Sequence, residues 1–213
     1  MVDNSRQEQQ QAARDSVIRG NDIHNEVRNI VVDALKDGQM EPGHIKEVLQ
    51  AVVNGAFEGA NNAAPEAKAI MQQTVAGIDD ALSQVAQASS LAIEEAADNV
   101  EHFTEHDLKR ALTDLNDLEK LFLDTLNEVA KGGQEVTSNT ISNIVSHLQQ
   151  SSTSVGRTVS ETSGHLSEFL SRKGKNIQLA DVAKTTGASV ARVASGLLAG
   201  IADSLAPDDK AGR

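Results

Sequence analysis

Residues 107–131 read DLKRALTDLNDLEKLFLDTLNEVAK, and this stretch decides the fold class. Apolar side chains recur in it every three or four residues, at Leu108, Ala111, Leu115, Leu118, Phe122, Leu126 and Val129, and Leu112 widens this stripe. An α-helix turns once every 3.6 residues, so this spacing places the apolar side chains on one face. The pair Gly132-Gly133 that follows is a helix stop. The stretch therefore predicts an amphipathic helix that must bury one face.

The same period extends along most of the chain. It predicts further helices over residues 16–36, from Pro42 into the Gly, Asn and Ala run at 55–62, and over 65–102, 134–171 and 179–205. Strict alternation of apolar and polar residues, the mark of a strand, is absent from the sequence. We expect an all-α fold, an elongated bundle of five or six amphipathic helices, at least three of them long. The expected organisation is a disordered polar tail over 1–15, the bundle over 16–206 and a polar tail over 207–213.

Composition excludes several classes of function. The 213 residues contain no Cys, Trp or Tyr and 4 Phe. Disulfides, thiolate catalysis and Cys-ligated metals are therefore excluded, and aromatic walls for a ligand pocket are scarce. The net charge of -12 argues against nucleic acid as a partner, because binding to phosphates requires clustered Lys and Arg. We expect a cytoplasmic, non-enzymatic protein without a cofactor.

One short motif indicates metal chemistry. His102-Phe103-Thr104-Glu105-His106 matches the H-x-x-E-H pattern of inverted zinc peptidases, in which two His four residues apart hold zinc. The motif here straddles a predicted helix boundary, so the two His need not share a face. A peptidase is the least favoured interpretation. A metal-binding helical bundle that uses His102 and His106 is the alternative function.

The last predicted helix, within residues 176–206, is rich in small residues and less acidic than the rest of the chain. Gly196 and Gly200 form a Gly-x-x-x-Gly motif, which allows close helix packing. Arg192 and Asp203 oppose a membrane-spanning role, because charges are costly in a bilayer. Packing within the protein or its oligomer is favoured, with binding to a lipid surface next. The predicted interaction surface is Val190, Val193, Gly196, Leu197, Gly200 and Ile201.

The overall pattern over residues 16–206 resembles phasins, the small helical proteins that coat polyhydroxyalkanoate granules in bacteria. The shared traits are Ala-rich amphipathic helices, acidic charge, the lack of Cys and Trp, and the Ser/Thr-rich heptads of residues 137–170. The pattern is similar, more distantly, to exchangeable apolipoproteins. Ala-rich stripes need a large partner surface, so we expect a structural or interaction protein that assembles through its amphipathic helices into a homo-oligomer. The resemblance to phasins implies, in addition, peripheral association with a lipid or granule surface. No functional residue is carried over from these families.

Overall fold

A computed structural model describes residues 2–36, 41–60, 66–98, 105–132 and 135–172. These residues form seven helices: α1 (Val2–Arg19), α2 (Ile23–Lys36), α3 (Pro42–Ala60), α4 (Ala67–Asp98), α5 (Glu105–Gly132), α6 (Glu135–Ser151) and α7 (Ser154–Arg172). The predicted all-α bundle is confirmed. Helices α4 and α5 have 32 and 28 residues, which gives lengths of about 48 and 42 Å. The predicted helix over 179–205 and the tail over 207–213 lie outside the described residues.

One hydrophobic core receives side chains from all seven helices. Helix α1 packs mainly on α3 and α2 mainly on α4, while α6 and α7 both lie along α4 and α5. The predicted stripe of α5 is buried at Leu115, Leu118, Phe122, Leu126 and Val129. Burying each of the larger side chains contributes about 1.5–3 kcal/mol, so this stripe holds α5 in the bundle.

The N-terminal residues differ from the predicted disordered tail over 1–15, because Val2–Arg19 form α1. Gln, Glu, Arg and Ala make up more than half of this stretch and are good helix formers. Ala13 and Val17 are buried against the rest of the bundle. A polar sequence is therefore ordered through one narrow apolar edge.

The predicted end of the second helix in the run 55–62 is also corrected. Helix α3 continues through Gly55 and Gly59 to Ala60. A Cβ atom at Gly55 would overlap the carbonyl oxygen of Gln10, and one at Gly59 would lie 2.7 Å from the Val17 Cβ. These glycines are helical residues that let α1 approach the α3 backbone, not helix stops.

Two predicted helices are each divided. The helix expected over 16–36 is interrupted at residues 20–22, and the one expected over 134–171 is interrupted at Ser152 and Thr153. Gly20, Asp22 and Ser152 have positive φ angles of 69°, 50° and 63°, which no α-helix accommodates. The described helices therefore number seven rather than five or six.

Candidate functional site

The predicted metal site falls largely outside the described part of the chain. His106 lies in the first turn of α5, but its side chain and the whole of His102 are outside it. Among the described residues, no group of three or more His, Asp or Glu side chains is placed to hold a metal ion. The metal site at His102 and His106 remains a prediction, which the zinc or iron content of the purified protein and of His102→Ala would test.

The predicted interaction surface also lies outside the described residues. Its members are Val190, Val193, Gly196, Leu197, Gly200 and Ile201. This surface stays a prediction from the sequence.

The most organised polar site in the described residues is the junction between α6 and α7. Three side chains converge there on the first turn of α7: Asp79 from α4, Glu119 from α5 and Thr153 from the junction itself. We call Asp79, Glu119 and Thr153 the α7 clamp. The first N–H groups of any helix lack partners within the helix, and their partial positive charge attracts carboxylates. The clamp supplies hydrogen-bond acceptors and negative charge to the first N–H groups of α7.

Asp79 caps the α7 backbone from a different helix. Its Oδ2 accepts a hydrogen bond from the Ser154 N–H at 2.7 Å, and its Oδ1 accepts one from the Val155 N–H at 2.9 Å. The residue is 6% exposed. Burial raises the pKa of Asp79 above its ordinary value; the two N–H groups lower it, and the neighbouring Asp80 charge adds a smaller increase.

Glu119 contributes to the capping of α7 indirectly, through a hydrogen bond with Thr153. The buried Thr153 hydroxyl donates to Glu119 Oε1 at 2.6 Å, and its oxygen accepts from the Gly156 N–H at 2.8 Å. Thr153 is thus the N-cap of α7, and Glu119 fixes the orientation of its hydroxyl. The Glu119 carboxylate lies so close to Gly156 that a Cβ atom there would overlap it. One turn further on, Ser83 and Thr158 share a hydrogen bond of 2.6 Å between α4 and α7.

A groove of about 470 Å³ reaches the outer side of the clamp and is open to solvent. Helices α5 and α6 form it, together with the junction. Its lining is mostly polar: Asn116, Glu119, Lys120, Leu123, Asp124, Leu148, Gln149 and Ser152. Water therefore reaches the Glu119 side of the junction, whereas the Asp79 side is enclosed by the bundle.

Comparison with known proteins identifies the family of this chain. The sequence profile of DUF6781, described as a family of unknown function, matches residues 2–207. The chain belongs to the DUF6781 family. Neither the curated proteins nor the solved structures contained a significant match.

The α7 clamp of this DUF6781 member was not predicted from its sequence. Asp79 and Glu119 look like ordinary acidic residues on the polar faces of two helices, because their partners lie more than thirty residues away. Only Thr153 carried a local signal, since Thr ahead of an apolar helical stretch is a frequent N-cap. The predicted single helix over residues 134–171 rests instead on apolar residues that keep one register from Ile141 to Phe169.

Within the described ranges, no helix combines the length and the apolar composition needed to cross a bilayer.

Proposed function

We propose that this chain is a non-enzymatic structural or interaction protein that assembles through amphipathic helices. The observation that supports this function is how its helices associate: aliphatic side chains from all seven described helices share one core. At three points a glycine lets the backbones approach, with Gly55 and Gly59 facing α1 and Gly77 facing α2. Contacts of this kind can also form between two copies of the chain, so the proposal includes self-association into a homo-oligomer.

The segment that meets a partner surface is, in this proposal, residues 176–206. Among the described residues, Ile18 and Leu91 are the large apolar side chains that are prominently exposed, at 56% and 53%. The described helices thus bury most of their apolar stripes against each other. The stripe at Val190, Leu197 and Ile201 is a further amphipathic pattern in the sequence, and Lys184 and Arg192 favour an anionic surface. We propose that this segment coats an apolar or lipid surface.

Vesicle co-sedimentation tests the proposed surface binding. Full-length protein is mixed with phosphatidylcholine vesicles containing or lacking phosphatidylglycerol, and the pelleted fraction is measured. We expect binding that increases with the anionic lipid and falls at least tenfold in the double variant Leu197→Glu/Ile201→Glu. Charge on the buried side of an interfacial helix costs several kcal/mol.

A matched double variant provides the control. Ser195→Glu/Ala199→Glu adds the same charge to the opposite face of a helical segment and should retain most of the binding. Absence of binding by the unmodified chain to either vesicle would exclude lipid coating. Equal loss in both double variants would show that charge alone, and not the apolar stripe, controls the binding.

A further inference from the structure

Helix α1 is attached to the bundle by shape more than by apolar area. Its described core residues are Ala13 and Val17, together with the buried Ser16. Ala13 and Val17 lie against α3 where Gly55 and Gly59 leave room for the α1 backbone. Polar contacts flank this edge: Arg6 pairs with Glu47 at 2.9 Å, and Gln10 donates to Glu58 at 2.7 Å. The α1 site on α3 therefore has a steric and polar pattern that fits this helix.

The attachment of α1 also carries local costs. Within the described residues, Arg14 Nε is buried and lacks a hydrogen-bond partner. The turn that follows α1 holds Asp22 at a φ of 50°, which is strained for a residue with a side chain. The strained turn favours a state in which α1 no longer folds back through it, whereas Arg14 Nε stays buried wherever α1 occupies a copy of this site.

The sequence of this region supports a second conformation, a single straight helix. At 100° per residue, the buried residues of α1 and α2 would occupy one arc of about 120° in an uninterrupted helix. These residues are Ala13, Val17, Ile23, Val27, Val31 and Leu35. A straight helix would keep the apolar stripe continuous but would carry Ala13 and Val17 away from their own α3.

We propose that α1 is exchanged between two copies of this chain, each α1 occupying the Gly55–Gly59 site of the other. This inference rests on the self-association in the proposed function and specifies its geometry. A second copy is the occupant because its α1 reproduces the α1–α3 contacts that the first copy loses: the fit at Gly55 and Gly59, the Arg6–Glu47 ion pair and the Gln10–Glu58 hydrogen bond. Exchange of an identical element between protomers is a low-cost route to a dimer.

One contact belongs to the closed hairpin alone. Arg19 on α1 and Glu26 on α2 form an ion pair at 2.5 Å across the turn. In a straight helix these residues would be seven positions, or about 10 Å, apart along the axis on opposite sides of the hinge. The pair therefore stabilises the closed monomer against exchange.

Crosslinking between two populations of the chain, each with one cysteine at a different position, tests the exchange. The chain has no Cys, so one population carries only Gln10→Cys and the other only Glu58→Cys. The two are mixed at high concentration, and a short bis-maleimide is added. Because each chain has a single thiol, a 10-to-58 crosslink joins two copies, and we expect it in the dimer fraction after size-exclusion chromatography. Each population incubated alone is the control.

Two turn variants shift the equilibrium in opposite directions. Gly20→Ala strains the hairpin and favours a straight helix. The fraction of chains in the swapped dimer should therefore rise about tenfold. Asp22→Gly relieves the hairpin and penalises the straight helix, so that fraction should fall about threefold. If Gly20→Ala does not fold, the fall of the swapped fraction in Asp22→Gly still tests the exchange. Dimers without the 10-to-58 crosslink would overturn the exchange and leave self-association standing. A strict monomer in the unmodified and Gly20→Ala chains would overturn both.

Discussion

The two interruptions of helical structure, at residues 20–22 and at Ser152 and Thr153, look alike in the backbone but are stabilised differently. Each contains a residue other than glycine with positive φ, Asp22 at 50° and Ser152 at 63°. The first is closed by its neighbours: Asn25 donates to Asp22 at 2.7 Å, and Arg19 pairs with Glu26. The second depends on Asp79 and Glu119, which come from other helices.

This difference indicates which interruption is built into the local sequence and which depends on the folded bundle. A turn closed by residues within seven positions forms as soon as its two helices form. A turn capped by distant carboxylates forms only when α4 and α5 are already in place. We therefore expect the first interruption to tolerate substitutions elsewhere in the bundle and the second to be sensitive to them.

The largest expected effect is at Asp79. Asp79→Ala removes both acceptors from the Ser154 and Val155 N–H groups and leaves a space in the bundle, so the free energy of unfolding should fall by about 3 kcal/mol. Urea unfolding followed by circular dichroism measures this change. Asp80→Ala is the control: Asp80 is half-exposed and pairs with His24, and its loss should cost at most about 0.5 kcal/mol. Equal losses in the two variants would show that the clamp does not hold α7.

Gly156 gives the next largest effect. Gly156→Ala places a methyl group where the Glu119 carboxylate lies, which should break the Glu119–Thr153 hydrogen bond and cost about 1–2 kcal/mol. Gly164→Ala is the matched control on the same helix, because nothing lies near its Cβ position. It should stabilise the protein by up to about 1 kcal/mol, since alanine is the better helix former. Stabilisation by both substitutions would contradict the role of Glu119.

Helical periodicity was enough to predict the fold, because apolar residues of α4 and α5 recur along one face. Periodicity did not predict the helix ends and interruptions that depend on close helix packing or on contacts with distant residues. Gly55 and Gly59 look like a helix end in the sequence. They lie inside α3, where the absence of a side chain lets the α1 backbone approach. Ser152 interrupts a continuous apolar register because Asp79 and Glu119 cap α7, and no local pattern contains those partners. The Gly20–Asp22 turn has a local signal, the sequence Gly-Asn-Asp, which the predicted helix over residues 16–36 did not take into account.

A smaller effect distinguishes the strained residues of the two interruptions. Ser152→Gly relieves the positive φ and should raise the free energy of unfolding by about 0.5–1 kcal/mol, after the extra entropy of glycine in the unfolded chain. Asp22→Gly relieves similar strain but loses the Asp22–Asn25 hydrogen bond, so its net effect should stay within about 0.5 kcal/mol. Thermal unfolding of both variants measures the contrast. A larger gain at position 22 than at 152 would reverse our assignment of local and distant stabilisation.

The smallest effect is the response to acid, which should have opposite signs at the two interruptions. Arg19 lowers the pKa of Glu26 below its ordinary value of 4.5, so the Arg19–Glu26 pair stabilises the fold above that pH and this contribution is lost as acid protonates Glu26. Burial raises the pKa of Asp79 above 3.8, so the folded state binds its proton more readily than the unfolded chain. The pH-dependent part of the Asp79 contribution is therefore greatest below pH 3.8 and is lost as the pH rises through the raised pKa, while its hydrogen bonds with the Ser154 and Val155 N–H groups remain.

Carboxyl carbon chemical shifts measured by NMR between pH 2 and 7 report the two groups separately. We expect Glu26 to titrate below 4.5 and Asp79 above 3.8, and Arg19→Gln to return the Glu26 midpoint towards 4.5 without moving that of Asp79. The reason is that Arg19 faces Glu26 across the first turn, whereas the environment of Asp79 is set by its enclosure between α4 and α7. A shift of both midpoints in Arg19→Gln would mean that the two interruptions are coupled through the bundle, and the distinction between local and distant stabilisation would fail.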